Sequence, residues 1–193
     1  RLLECIVALD YPQELLQIQV LDDSTDESLA LSQRLVKAYQ KKEIPIELIT
    51  RTDRVGFKAG ALKHGLSQAS GEYIAIFDAD FLPNPDFLRQ TIPYFVDEKV
   101  GVVQTRWEHI NQDYSLITRL QAFQLNVHFT VEQMGRYNAD YLLQFNGTAF
   151  FLGAFNFHVY LSLCPMSLEK YLRANLPCAN ICCWEKPLRD RYF

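Results

Sequence analysis

The sequence predicts an α/β layered domain with a mainly parallel central sheet. Three observations carry this expectation. Short apolar runs of strand length alternate with longer stretches of helical periodicity. The clearest run, Tyr73-Ile74-Ala75-Ile76-Phe77, is almost continuously apolar, as a strand covered on both faces must be. Two of the runs end in paired acids, at Asp22-Asp23 and at Asp78-Ala79-Asp80. In an open α/β sheet the carboxyl ends of the strands are where ligands bind.

The elements follow in order. Residues 18–22, Ile-Gln-Val-Leu-Asp, read as a buried strand. The acids and hydroxyls of residues 22–26 supply turn and N-cap chemistry for a helix carrying Leu29, Leu31, Leu35, Val36 and Tyr39. Pro45 breaks the chain before a second short strand at residues 46–49. Residues 58–69 read as a helix closed by Gly71, and 73–77 as the central strand. Pro83 and Pro85 precede a helix over about 86–95, and residues 100–104 form a further strand. Residues 114–135 read as a long amphipathic helix. The division expected is 1–149 as one domain and 150–193 as a tail of undefined structure. The tail holds four of the five cysteines and more basic than acidic residues.

Composition excludes several classes. The chain has 193 residues, 49% hydrophobic and 22% charged, which is globular rather than disordered. Its net charge of −4 gives no basic excess for binding nucleic acid. No uninterrupted apolar run is long enough for a transmembrane span, and no signal peptide is evident at Arg1. Cys5 alone in the body argues against a disulfide framework.

The carboxylates of Asp78 and Asp80, at i and i+2 just past a strand, can approach one hard cation together. Mg²⁺ takes few protein carboxylates and completes its octahedron with water and phosphate oxygens. The plain alternative is a solvated turn; its place after a buried strand, with Asp22-Asp23 after another, favours a site. Lys58, between Gly56 and Gly60, can approach a phosphate as a point charge. Neither a P-loop nor a dinucleotide fingerprint is present. Cys178-x-x-x-Cys182-Cys183 with His158 lacks a standard zinc spacing. His64, His109 and His128 show no paired spacing for metal or catalysis.

Six segments then stand in order: Val20-Leu21-Asp22-Asp23-Ser24-Thr25-Asp26, Gly56-Phe57-Lys58-Ala59-Gly60-Ala61-Leu62, Ile76-Phe77-Asp78-Ala79-Asp80-Phe81, Val103-Gln104-Thr105-Arg106-Trp107, Val131-Glu132-Gln133 and Phe145-Asn146-Gly147-Thr148-Ala149. Each is weak alone. Together they resemble family-two glycosyltransferases of the cellulose-synthase-like branch, which includes glucomannan and β-glucan synthases. The resemblance covers residues 1–149.

The resemblance implies a GT-A fold, here incomplete, and inverting transfer from a nucleotide-diphosphate sugar, of the UDP-glucose or GDP-mannose class, to a glycan acceptor. It implies Mg²⁺ or Mn²⁺ as cofactor, held by Asp78 and Asp80 with Asp80 favoured as the direct ligand. Asp22, Asp23, Lys58 and Asp78 would hold the nucleotide, with Asp22 and Asp78 at neighbouring strand ends. Trp107, Phe145, Asn146, Gly147 and Thr148 would lie near the sugar and acceptor, although Trp107 is equally suited to a core. The family works at the cytoplasmic face of a membrane, to which segments outside this chain would attach it; that location speaks against glycosylation at Asn146.

The family's opening strand with a Pro-x-Tyr-Asn-Glu-like motif is not found here. Nor are the Thr-Glu-Asp motif that supplies its catalytic base and the Gln-x-x-Arg-Trp motif that grips the acceptor. Glu169, Glu185 and Asp190 are not assigned as a substitute base. The chain is therefore expected to be truncated at both ends and inactive or impaired. Two readings from other classes stand beside the enzyme. A non-catalytic nucleotide-sugar-binding module would bind donor without turnover. A nucleotidyltransferase would release pyrophosphate from a nucleoside triphosphate.

Overall fold

The computed structural model describes residues 1–97, 100–139, 141, 150–153 and 179–185. They belong to two compact units, one of residues 1–103 and 150–193, the other of residues 104–149.

In the first unit, helix α1 (Leu2–Val7) buries Leu2 and Ile6. Strand β1 (Leu16–Asp22) follows, and every residue but Gln17 is buried. Helix α2 (Glu27–Gln40) starts at Asp26, whose carboxylate accepts the Ser28 N–H at 2.9 Å. The hydrogen bonds from Ser28 hold the Asp26 carboxyl below the usual carboxylate range. Strand β2 (Ile46–Ile49) leads to helix α3 (Phe57–Leu66), and strand β3 (Tyr73–Asp78) to the short helix α4 (Phe87–Thr91). The helix expected at 86–95 tightens into a 3₁₀ segment at Ile92–Val96, because Pro93 cannot donate to the α-helical ladder. Strand β4 (Val102–Gln104) closes the series read from the sequence.

Two strands outside that series complete the sheet. They are β5 (Phe150–Gly153) and β6 (Ala179–Glu185), in the segment for which the sequence gives no strand pattern. The strand order is β2-β1-β6-β3-β5-β4. Strands β1 and β2 are parallel, in the register Ile18–Ile46 to Leu21–Ile49. Strand β6 lies antiparallel to both β1 and β3, so those two also run in one direction. Strand β5 is antiparallel to β3 on its other side. The strands read from the sequence as parallel are thus β1, β2 and β3, with reversed strands between and beside them.

This insertion corrects one expectation. Asp22 and Asp78 lie on the same edge of the sheet, but not on adjacent strands. Asp22 pairs with Ala179 and Asp78 with Asn180, so β6 stands between them. Two strand spacings put their backbones about 10 Å apart.

Alternation along the strands feeds two layers. Ile18, Val20, Ala75 and Phe77 join Leu2, Ile6, Val36 and Leu88 in one buried cluster. Phe77 meets Phe87 edge-on at 4.9 Å. The opposite face of β1 carries Gln19 and Leu21 against α3. A Cβ on Gly65 would come within 2.9 Å of both side chains, so glycine is what lets the helix approach the sheet so closely. On that face α3 buries Ala61, Leu62 and Leu66.

The second unit is chiefly one helical run. Helix α5 (Leu116–Val127) opens on a capping box: the Ser115 hydroxyl accepts the Thr118 N–H, and the Thr118 hydroxyl accepts the Ser115 N–H. A π-helical turn (His128–Gln133) joins it to helix α6 (Met134–Asn138). Of the apolar positions, Phe129 is buried, whereas Leu116, Leu120, Phe123 and Val131 are exposed.

Gln19 is fully buried in β1, and neither polar atom of its amide has a hydrogen-bond partner among the described residues. A buried unbonded donor or acceptor costs about 1–3 kcal/mol. Gln19→Met keeps the shape and removes the amide. It should raise stability by about 1 kcal/mol, read as a higher urea midpoint at unchanged slope. A midpoint below wild type would contradict this account.

Candidate functional site

The carboxyl ends of β1, β2 and β3 assemble one polar edge. At the end of β1, Asp22 is only 1% exposed. One of its oxygens accepts the Ser24 N–H at 2.9 Å, and the other accepts the Ser32 hydroxyl at 2.6 Å. Asp22 therefore ties the β1–α2 turn to the first half of α2. A buried carboxylate is tolerated only with such donors.

Asp23 is held by Arg51, which follows the end of β2. The guanidinium engages both Asp23 oxygens, through Nε at 3.2 and 3.1 Å and through a close Nη2 contact. The same fork donates from Nη1 to the Val55 carbonyl at 3.0 Å and from Nη2 to the Phe57 carbonyl at 3.1 Å. Both side chains of the ion pair are about nine-tenths buried. A planar five-donor group can engage both oxygens of a carboxylate and two carbonyls at once, four acceptors where an ammonium has three donors.

Arg51 thereby braces an unusual entry into α3. Gly56 has φ +71° and Phe57 φ +44°, two consecutive residues in the left-handed region. For Phe57 that conformation is costly and persists only where its surroundings hold it. A Cβ on Gly60 would lie 2.0 Å from the Val55 carbonyl oxygen. Glycine at 60 is therefore what allows the loop to fold back onto the helix.

The loop delivers Lys58 inward from the first turn of α3. Its side chain is 7% exposed, and Nζ donates to Oδ1 of Asp78 at the end of β3. The Asp78 carbonyl accepts the Phe81 N–H at 3.0 Å, closing Asp78-Ala79-Asp80-Phe81 into a turn. Asp78 is partly exposed and Asp80 exposed. Four carboxylates against two buried cations leave this edge net negative. The oxygens of Asp78 and Asp80 are hard ligands, and an edge open to water suits a cation that keeps waters and phosphate oxygens.

The structure thus brings Asp22, Asp23, Lys58, Asp78 and Asp80 to one sheet edge. Trp107 belongs to the second unit, edge-on to Phe129 at 6.0 Å and to His109 at 5.7 Å. Phe145, Asn146, Gly147 and Thr148 lie outside the described residues. Among the histidines, His64 contacts Gln68 at 3.3 Å, while His128 contacts Glu132 at 3.0 Å and Gln133 at 3.2 Å. The hydrogen bond from His128 holds the Glu132 carboxyl below its ordinary range. Among the described residues no cluster of three or more His, Cys, Asp or Glu side chains forms a metal cage. Also among them, no helix is long and apolar enough to cross a membrane.

Sequence reasoning missed Arg51 and Ser32. Arg51 was findable, since it stands two residues past a parallel strand, on the edge where the acids of the other two strands lie.

This layered sheet, with acids and a buried lysine at its strand ends, has the GT-A type of fold. Residues 1–158 match the family described as Glycosyl transferase family 2. The chain is 46% identical over 147 residues to a probable glucomannan 4-beta-mannosyltransferase 4 of Oryza sativa subsp. japonica, covering 74% of this chain and 27% of that protein. It is 44% identical over 149 residues to glucomannan 4-beta-mannosyltransferase 1 of the same rice, covering 75% and 29%. It is also 44% identical over 146 residues to glucomannan 4-beta-mannosyltransferase 2 of Arabidopsis thaliana, covering 73% and 27%. The chain belongs to glycosyl transferase family 2, within its cellulose-synthase-like branch. It spans between a quarter and a third of the length of these relatives.

Removing one partner of a buried ion pair costs about 3–5 kcal/mol. Arg51→Met should therefore lower unfolding stability by about 3 kcal/mol or more, and Arg51→Lys should recover only part of it because the fork is lost. Chemical denaturation of the three proteins checks this. Equal stability of wild type and Arg51→Met would mean that the loop stands without the brace.

Proposed function

We propose that this chain is the donor-binding part of an inverting, metal-dependent glycosyltransferase that moves a sugar from a nucleotide-diphosphate donor to a β-glycan acceptor. The observation that carries the reading is the Lys58–Asp78 contact at the D-x-D turn, on the same sheet edge as the buried Asp22 and Asp23. The names of the relatives favour a mannosyl donor of the GDP-mannose class over a glucosyl one.

Each residue has a role in this scheme. Asp78 and Asp80 would hold Mg²⁺ or Mn²⁺. A bound divalent ion would supply charge neutralisation for the departing diphosphate. Lys58 adds a movable positive charge beside the phosphates. Asp22 and Arg51 fix the two loops that frame the nucleotide, so the pocket needs little reorganisation when donor arrives. A general base contributes about 10²–10⁴-fold in such transfers. The Thr-Glu-Asp motif is not among these 193 residues. For the chain by itself we therefore infer donor binding with impaired turnover. The membrane attachment and acceptor channel belong to the same proposal, through segments of a longer protein.

The test is binding of GDP and UDP with and without Mn²⁺. Mn²⁺ should tighten binding by about tenfold or more, within the usual 5–150-fold range for coupled ligands. Asp80→Ala should abolish that gain while leaving metal-free binding in place. Identical affinities with and without metal in the wild-type chain would overturn the metal assignment. Pyrophosphate release from a nucleoside triphosphate would favour the nucleotidyltransferase instead.

A further inference from the structure

The contact between Lys58 and Asp78 sets a condition on the metal site. Lys58 Nζ occupies Oδ1 of the first carboxylate of the D-x-D turn, the kind of oxygen a divalent cation uses. The lysine is 93% covered, and its root is fixed. Gly56 and Phe57 turn the chain into α3 in left-handed conformations, and Arg51 bonds the carbonyls on either side of Gly56. An ammonium and a divalent ion on one carboxylate repel each other at close range. The four-carbon stem of lysine can swing, unlike the Arg51 fork, which is held at four acceptor atoms.

We propose that Lys58 is a built-in counter-cation for Asp78, which makes divalent-metal binding conditional on a nucleoside diphosphate. The inference rests on the reading of Asp78 and Asp80 as the metal-holding pair. A diphosphate entering along the sheet edge offers the ammonium a more highly charged partner. Lys58 turns to it, Asp78 is released, and the cation can sit between carboxylate and phosphate. By thermodynamic reciprocity, the factor by which nucleotide tightens metal is the factor by which metal tightens nucleotide. Lys58 is then a positioning residue that sets the size of the coupling and prevents futile occupation of the site by metal alone.

The experiment measures Mn²⁺ binding to the chain by the loss of the free-ion paramagnetic resonance signal, with and without GDP, corrected for Mn²⁺ held by GDP in solution. In the wild type, Mn²⁺ alone should bind weakly, and GDP should strengthen it by about tenfold or more. In Lys58→Met, Mn²⁺ alone should bind about tenfold more tightly than in wild type, and the gain from GDP should shrink. Lys58→Gln, which keeps a donor without the charge, should behave like Lys58→Met. Asp78 is partly exposed, so loss of the Lys58 ammonium should be tolerated in both, and circular dichroism checks this.

Mn²⁺ binding that is unchanged or weaker in both variants would overturn the counter-cation role while leaving the metal pair intact. Equal Mn²⁺ binding by the wild type with and without GDP would overturn it without any variant. If Asp80→Ala does not diminish Mn²⁺ binding under either condition, the metal reading beneath the proposal fails instead.

Discussion

The Arg51–Asp23 fork is the constraint on which the site depends. One buried guanidinium joins the end of β1, the segment after β2 and the entry to α3. Packing does little to hold the loop between them, since Val55 and Phe57 at its tip are exposed. A loop with two consecutive left-handed residues would not settle in one conformation without such a clamp. Its consequence reaches beyond the loop, because α3 begins where the clamp sets it and Lys58 lies in the first turn. The cation that meets Asp78 is therefore positioned by a different cation.

The division of labour between these two basic residues follows from their chemistry. Arg51 is rigid, delocalised and bonded in several directions, so it acts as architecture. Lys58 is a point charge at the end of a flexible stem, so it can exchange partners. The acids divide in the same way. Asp22 and Asp23 are covered and held by hydroxyl, amide and guanidinium donors, whereas Asp78 is partly exposed beside Lys58 and Asp80 is exposed. The sequence offers four similar aspartates at two strand ends. The fold covers two of them and leaves the other two more open to solvent.

What was legible in the sequence follows the strength of local patterning. β1 and β3 were readable because mainly apolar runs end in acids, and β2 because a short, largely apolar run follows Pro45. The long helix of the second unit was readable as well, but its π-helical turn was not, since hydrophobic period alone does not distinguish one extra residue in a turn. β6 was invisible for a different reason. Ala-Asn-Ile-Cys-Cys-Trp-Glu has no period of two, and its place is set by the two strands on either side of it. The acids at the strand ends and Lys58 between its glycines were singled out by position, and the resemblance to a family gave them roles. Arg51 lies outside those motifs, and its role appears only once β2 brings it to the shared edge.

The position of β6 also bears on how the chain is made. Its neighbour β3 is made roughly a hundred residues before it, and β1 roughly a hundred and sixty. At about 5–20 residues per second, β3 waits some 5–20 seconds, and β1 some 8–32 seconds, for the strand that joins them. During that interval each presents to solvent the backbone donors and acceptors that β6 will later satisfy, a template for pairing with a neighbouring nascent chain. The carboxylates at their tips carry like charge at that stage, and their repulsion opposes a premature direct union of β1 with β3. The polar edge is therefore completed late in synthesis, when the intervening strand sets the distance between its two halves.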